Sequence, residues 1–393
     1  MYSMYSSIHT FINLALIPIP VAMPLGSRWR QLTLTLQEHT ERGRKRGFYE
    51  KKSSRPADSS GSSGSSGSFD WWAYDQAQMH EACDVLDSIR IGVDRVSLDL
   101  WTYLARSRGR GRPKRPGAVA DLAKAVLLQQ YLGDSDRRLI GSLSLFSEKL
   151  GLTSSPGYKD VERAYADPDV AVVLLAFFDL TVGAVRDVRD FAIDGTGLST
   201  SIKDNWETYL FSKQRRYAVF EKLVCAVGQR YGVVSAFRVL DSMHGHESPY
   251  LRPLVEEVSE KHGGLGLVCA DSAYISRDNC QAIADLGGVP RLYPKKNTSL
   301  NSLGRKAYQD MLLSFIHDPQ AWLEEYHHRY IAESTFSSLK RRCLVPLRRE
   351  IGSRRKQEVL ARIIIYNLIR LSYATWTKGL KTKLNNHHKP KTK

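Results

Sequence analysis

The sequence has little cysteine and no Cys-x-x-Cys pair. Its five cysteines, Cys83, Cys225, Cys269, Cys280 and Cys343, share no repeated spacing, which argues against a zinc site and against a disulfide framework and fits a reducing cytoplasm. Long apolar runs are also scarce. "FINLALIPIPVAMPLG", near the N-terminus, is short, broken by prolines and not preceded by a basic segment. Neither a signal peptide nor a membrane span is expected from it, and no membrane partner. The third shortage is of acidic residues: 41 Asp and Glu stand against 57 Lys and Arg, for a net charge of +16. That imbalance points to a polyanionic partner. It is concentrated at the C-terminal end, where Lys340 to Lys393 holds sixteen Lys or Arg and two Glu.

What is present is otherwise ordinary for a globular chain, with 42% apolar and 25% charged residues over 393 positions, enough for two to three domains with a sizeable core. Residues 1–68 form a leader that is basic and then Gly/Ser-rich ("GSSGSSG"), with the composition of a flexible linker. Residues 69–188 follow a three-to-four apolar repeat and read as helical. Within them, Arg110-Gly111-Arg112-Pro113 has the composition of a hook for an A·T minor groove, or of a basic turn ahead of a helix. The stretch that follows reads as helix, tight turn at Gly133-Asp134, and helix, with Ser135 or Asp136 as cap. This suits a DNA-binding helix-turn-helix or a plain helical bundle.

From residue 189 the period changes. "RDFAIDGTGLSTS" reads as a strand carrying Asp194, and "KLVCAVGQRYGVVSAFRVL" as two strands across a turn at Gly232. A helix from Ser248-Pro249, a strand running into Asp271, a further helix and the strand "VPRLYPKK" complete the series. The order β, β, β, α, β, α, β implies a mixed sheet flanked by helices. "KQEVLARIIIYNLIRLSYATW" is an apolar helix expected to pack on that sheet. Residues 189–376 thus form one α/β domain, and 377–393 a basic tail.

The stretch "EEYHHRYIAESTFSSLKRRC" carries the most chemistry. Read as one helix, it places Tyr326, Arg329, Glu333 and Lys340 within one narrow stripe at about 100° per residue. A phenol, two cations and a carboxylate on one face suit a grip on a phosphodiester. Asp194 and Asp271 on strands and Glu333 on this helix are three hard-oxygen donors whose positions can converge. Three carboxylates suffice for two Mg2+ or Mn2+ ions roughly 4 Å apart, the arrangement that serves phosphoryl transfer. His244 and His246 are read as loop or helix-entry residues.

These residues carry a resemblance. Tyr326, Arg329, Glu333 and Lys340 match at every spacing the Y-x2-R-x3-E-x6-K signature of insertion-sequence transposases with a DDE triad. "AIDGTGL" and "CADSAY" resemble that family's two aspartate motifs, and the likeness covers roughly Arg108 to Trp376. It implies an RNase H-like catalytic domain behind a helical DNA-binding region, with Asp194, Asp271 and Glu333 as the catalytic, metal-binding triad. Tyr326, Arg329 and Lys340, with Arg341 beside them, and Arg110 and Arg112 further upstream, would contact DNA. The implied activity is metal-dependent strand cleavage at transposon ends and transfer into target DNA. Its partners would be double-stranded terminal inverted repeats and target DNA, in a synaptic homodimer at the nucleoid. Some relatives insert a large β-rich segment before the glutamate helix; here the interval from Asn297 to Trp322 has only loop-to-helix length, and Trp322 is expected to pack. Two other readings remain: a catalytically inactive, transposon-derived DNA-binding protein, and an RNase H-like nuclease.

Overall fold

The computed structural model describes residues 70–104, 116–200, 220–240, 245–342, 346–349, 352–382 and 384. Expectations for the leader 1–68, Arg110, Arg112, His244 and the last part of the tail lie outside the described residues.

The helical region opens with α1 (Trp71–Asp99), whose cap Asp70 accepts the Ala73 N–H at 2.9 Å, and the short α2 (Trp101–Leu104). α3 (Pro116–Leu132) starts on proline, which suits a first-turn position. It joins α4 (Asp136–Leu150) through the expected turn, with Gly133 at φ 68° and Ser135 as cap. Gly151, left-handed at φ 58°, closes α4. α5 (Tyr158–Ala164) and α6 (Pro168–Gly183) complete the region, α6 capped by Asp167.

The sheet follows as read from the sequence. β1 (Phe191–Ser199), β2 (Phe220–Gly228) and β3 (Val234–Leu240) form an antiparallel meander, with Gly232 at φ 69° in the second turn. A single helical turn at Ser248–Tyr250 leads into α7 (Leu251–His262), then β4 (Leu267–Ala270), α8 (Arg277–Asp285) and β5 (Val289–Leu292). β4 pairs parallel with β1, and β5 parallel with β4, for the order β3-β2-β1-β4-β5. Parallel neighbours require crossovers, and α7 and α8 supply them. This is the mixed, helix-flanked sheet of an RNase H-like fold. α9 (Lys306–His317), α10 (Pro319–His327), α11 (Tyr330–Arg342) and α12 (Gly352–Lys378) follow.

α12 meets the sheet as expected, but most of its partners are helices. It packs chiefly among α1, α3 and α6, and meets the sheet along β3 and through Arg355, which pairs with Glu221 of β2 at 2.9 Å. Its residues are buried continuously from Gln357 to Ile369, and a helix buried all round needs partners on every side, which one sheet face cannot provide. The helices of both ends and the sheet therefore share one apolar core. Asn367 in α12 acts as a substitute strand: its amide accepts the Val234 N–H and donates to the Val234 carbonyl, both at 2.9 Å, and also donates to Thr181 at 3.1 Å. Asn367→Leu leaves buried backbone groups of Val234 unsatisfied. A loss of about 2–3 kcal/mol is expected in denaturant unfolding; an unchanged midpoint would show that water or a neighbour replaces the amide.

Candidate active site

Along the parallel β1–β4 pair, Phe191 faces Val268, Ala192 faces Cys269 and Ile193 faces Ala270. The next residues in that register are Asp194 and Asp271. Asp271 thus leaves the carboxyl end of β4 beside Asp194 of β1, at the point where the two strands cease to pair; open α/β sheets collect reactive groups at such strand ends. At the last paired position, Ile193 opposite Ala270, strand spacing holds the two backbones roughly 5 Å apart. Each carboxylate also accepts the N–H of the following residue, Asp194 from Gly195 at 2.9 Å and Asp271 from Ser272 at 2.5 Å. Asp271 thereby caps a helical turn over Ser272–Tyr274.

The third carboxylate arrives from α11. α9 fills the interval after β5, and α10, capped by Asp318, is pinned to the sheet by Arg291–Glu325 at 2.6 Å. Trp322 and Tyr326 on α10 bury into an aromatic cluster with Tyr293 and Phe315, the Trp322 and Tyr326 rings stacked at 5.4 Å. Trp322 therefore has the packing role expected of it.

The single continuous stripe does not form. The segment from Glu324 is two helices, α10 and α11, joined through His328 and Arg329. Across the joint the backbone bonds span three residues rather than four: Arg329 N–H to the Tyr326 carbonyl at 2.9 Å, and Ala332 N–H to the Arg329 carbonyl at 3.0 Å. Such tightening changes the direction of side chains relative to an α-helix. It lets Tyr326, 3% exposed, enter the aromatic cluster while Arg329 turns toward β1. Glu333, Lys340 and Arg341 remain on the exposed side of α11.

Arg329 is the centre of the site. One arm of its guanidinium donates to Asp194 Oδ2 at 2.8 Å, and the other donates to Glu333 Oε1. A planar fork is suited to such a bridge. Asp194 is deeply set, with its side chain 18% exposed, whereas that of Glu333 is 58% exposed. Burial pushes the Asp194 carboxyl up to about 6; Arg329 and the Gly195 N–H oppose that rise, and the charges of Asp271 and Glu247 add to it. Among the described residues no three Asp, Glu, His or Cys side chains stand close enough to hold a metal ion as arranged. The space between Asp194 and Glu333 is bridged by a guanidinium.

Glu247, between β3 and α7, went unnoticed in the sequence beside His246, which is exposed. Its carboxylate takes the Tyr274 hydroxyl at 2.7 Å and the Lys222 ammonium at 2.8 Å. A Cβ added at Gly195 would lie 2.4 Å from that carboxylate. The available signal was Gly195 itself, since a glycine inside a strand often marks a close approach.

The order and pairing of the five strands, with their flanking helices, are those of a domain of the RNase H-like class. Residues 187–368, from just before β1 into α12, match the family model described as the transposase DDE domain. The chain is also 25% identical, over 256 residues, to a probable transposase for an insertion sequence element of Archaeoglobus fulgidus; the match covers 64% of this chain and 74% of that relative. The two findings support an insertion-sequence transposase of the DDE type. Among the described residues no helix is long and apolar enough to cross a membrane.

In the metal-free chain, Asp194 has a folded pKa of about 6, above its ordinary 3.8. A raised carboxylate pKa weakens the fold once the group ionises: the penalty is absent below about pH 4, grows between the two values and is complete above 6. The stability of Asp194→Asn relative to the unsubstituted chain should therefore rise through that window in unfolding experiments. Parallel pH profiles would contradict the raised pKa.

Proposed function

We propose that the chain is a DNA transposase that cuts at its transposon ends and joins the freed 3′-hydroxyl to target DNA, with Mg2+ or Mn2+ held by Asp194, Asp271 and Glu333. The reading rests on one arrangement: an aspartate within β1 beside one at the end of β4, with the glutamate of α11 tethered to the first by Arg329. The donor chemistry suits a hard divalent cation, because all three groups are carboxylates. Sulfur is not a competing donor. Burial pushes the thiols of Cys225 and Cys269, on β2 and β4, above their ordinary pKa, which disfavours the thiolate that a metal would need. Once bound, the cation would activate the attacking oxygen and stabilise the leaving one.

The remaining roles belong to the chain's own side chains. Arg329, released by its two carboxylates, would turn its fork to a phosphate of the transposon end. Lys340 and Arg341, exposed on α11, would hold the backbone on either side by charge. Tyr326, lying under Arg329 with its ring centroid 5.9 Å from the guanidinium carbon, would support that residue from below rather than touch DNA. Terminal inverted repeats would be the specific partner, and pairing of two ends would call for two copies of the chain.

Duplex DNA carrying the element's ends, incubated with the chain and Mg2+, tests the reading. Glu333→Gln is expected to lower the cleavage rate by about a hundredfold or more, since several kcal/mol of charge stabilisation depend on the site. Binding of the end, measured by gel shift, should persist. Wild-type cleavage by Glu333→Gln or Asp271→Ala, or loss of binding along with cleavage, would defeat the assignment.

A further inference from the structure

Asp194 and Asp271 come from strands that pair only as far as Ile193 and Ala270. Beyond that point no backbone ladder fixes their separation, and Asp271 stands at the mouth of a single turn over Ser272–Tyr274. A turn of that length has little rigidity of its own. Something else has to hold it against β1.

Glu247 spans the gap. One carboxylate oxygen accepts the Tyr274 hydroxyl at 2.7 Å, from the turn that Asp271 caps, and the other meets Lys222 of β2 at 2.8 Å. The carboxylate lies flat against Gly195, which in turn gives its N–H to Asp194 at 2.9 Å. Any side chain at Gly195 would evict it. Glu247 is 18% exposed and Lys222 19%, so the pair is substantially withdrawn from water. Lys222 also donates to the Gly245 carbonyl at 2.9 Å, fixing the approach of the loop that carries Glu247. A second staple runs in parallel. The Asn279 amide donates to the Tyr274 carbonyl at 2.8 Å and to Ser248, at 3.0 Å to the hydroxyl and 3.2 Å to the carbonyl. Tyr274 itself is fully buried.

We infer that Glu247 is a positioning residue: with Tyr274 and Gly195 it fixes the turn after β4 against β1 and so sets the distance between Asp194 and Asp271. Lys222 balances the charge of Glu247, which leaves Asp194 and Asp271 as the donors and Glu247 as their brace. The inference rests on the proposal that those two aspartates hold a divalent cation. In its absence the brace would still order the turn but would have no bearing on metal affinity.

Mn2+ titrated calorimetrically into the full-length chain reads the effect directly, with unfolding midpoints and single-turnover cleavage of end DNA measured alongside. Glu247→Ala, Tyr274→Phe and Gly195→Ala are each expected to weaken Mn2+ binding by about 10–100-fold, the usual loss when a supporting partner of a ligand is removed. They should lower kcat while leaving KM for the DNA end unchanged. Glu247→Gln, which keeps an acceptor for Tyr274, should recover part of the loss. A merely structural role would shift the unfolding midpoint and leave the affinity of the folded chain as it was; that result, or wild-type affinity and kcat in Glu247→Ala, overturns the inference. If Glu247→Ala does not fold, Tyr274→Phe decides, because it removes one hydrogen bond and keeps the packed ring. Asp271→Ala separates the two levels. Loss of Mn2+ binding there, with the brace variants normal, overturns the brace alone; wild-type Mn2+ binding in Asp271→Ala overturns the metal site and the brace with it.

Discussion

Asp194 is buried beside the charges of Asp271 and Glu247, and the guanidinium of Arg329 is what offsets that concentration of negative charge. An ionised carboxylate set so deep is costly without a partner. Delivering the partner shapes everything downstream of β5. α10 is anchored by its aromatic cluster and by Arg291–Glu325. The tightened joint at His328–Arg329 then aims Arg329 at β1, and α11 leaves in a direction that brings Glu333 to the other arm of the same fork. α11 is held in turn by Ala332, Thr335, Phe336 and Leu339 against the sheet, and by the Tyr366 hydroxyl of α12 donating to Thr335 at 3.0 Å. The bridge fixes Arg329 between the two carboxylates. It is also made of bonds that a divalent cation and a phosphate can exchange for their own, since Glu333 lies largely in solvent.

The helical region is connected to the same strand. Leu347 donates its N–H to the Ser199 carbonyl at the end of β1, at 2.8 Å. The two residues that follow clasp the α3–α4 turn: Arg348 donates to the Gly133 carbonyl at 2.8 Å, and Arg349 pairs with Asp136 at 2.6 Å over the face of Tyr165. The turn with helix-turn-helix spacing is thus fastened from inside by the segment that extends β1. α12 completes the connection through Asn367, which fills the edge of β3. A displacement of the α3–α4 turn has a short covalent and hydrogen-bonded route to the strand that carries Asp194.

The sheet was legible in the sequence because alternation and turn glycines act locally: β1 to β5 and their helices lie where the period and Gly232 put them. Asp194 and Asp271 were legible for the same reason, as acidic residues in or at the end of apolar strands. The joint at Arg329 was not. A spacing of three, seven and fourteen fits an unbroken helix, and the partners that draw Tyr326 and Arg329 apart, Tyr293 of the β5 end and Asp194 of β1, are distant in the chain. Glu247 was hidden for a similar reason, since its partners Gly195, Lys222 and Tyr274 come from three separate elements. The helices that surround α12 were not legible, because an apolar helix announces only that it is buried, not by what.

Whether Asp194, Asp271 and Glu333 close around one cation is tested most directly by replacing it with Fe2+. With ascorbate and peroxide present, bound iron releases hydroxyl radicals that cut the nearby backbone. The account predicts fragments ending near residues 194, 271 and 333, all suppressed by excess Mg2+. Cuts confined to other segments, or cuts that Mg2+ does not suppress, would contradict it.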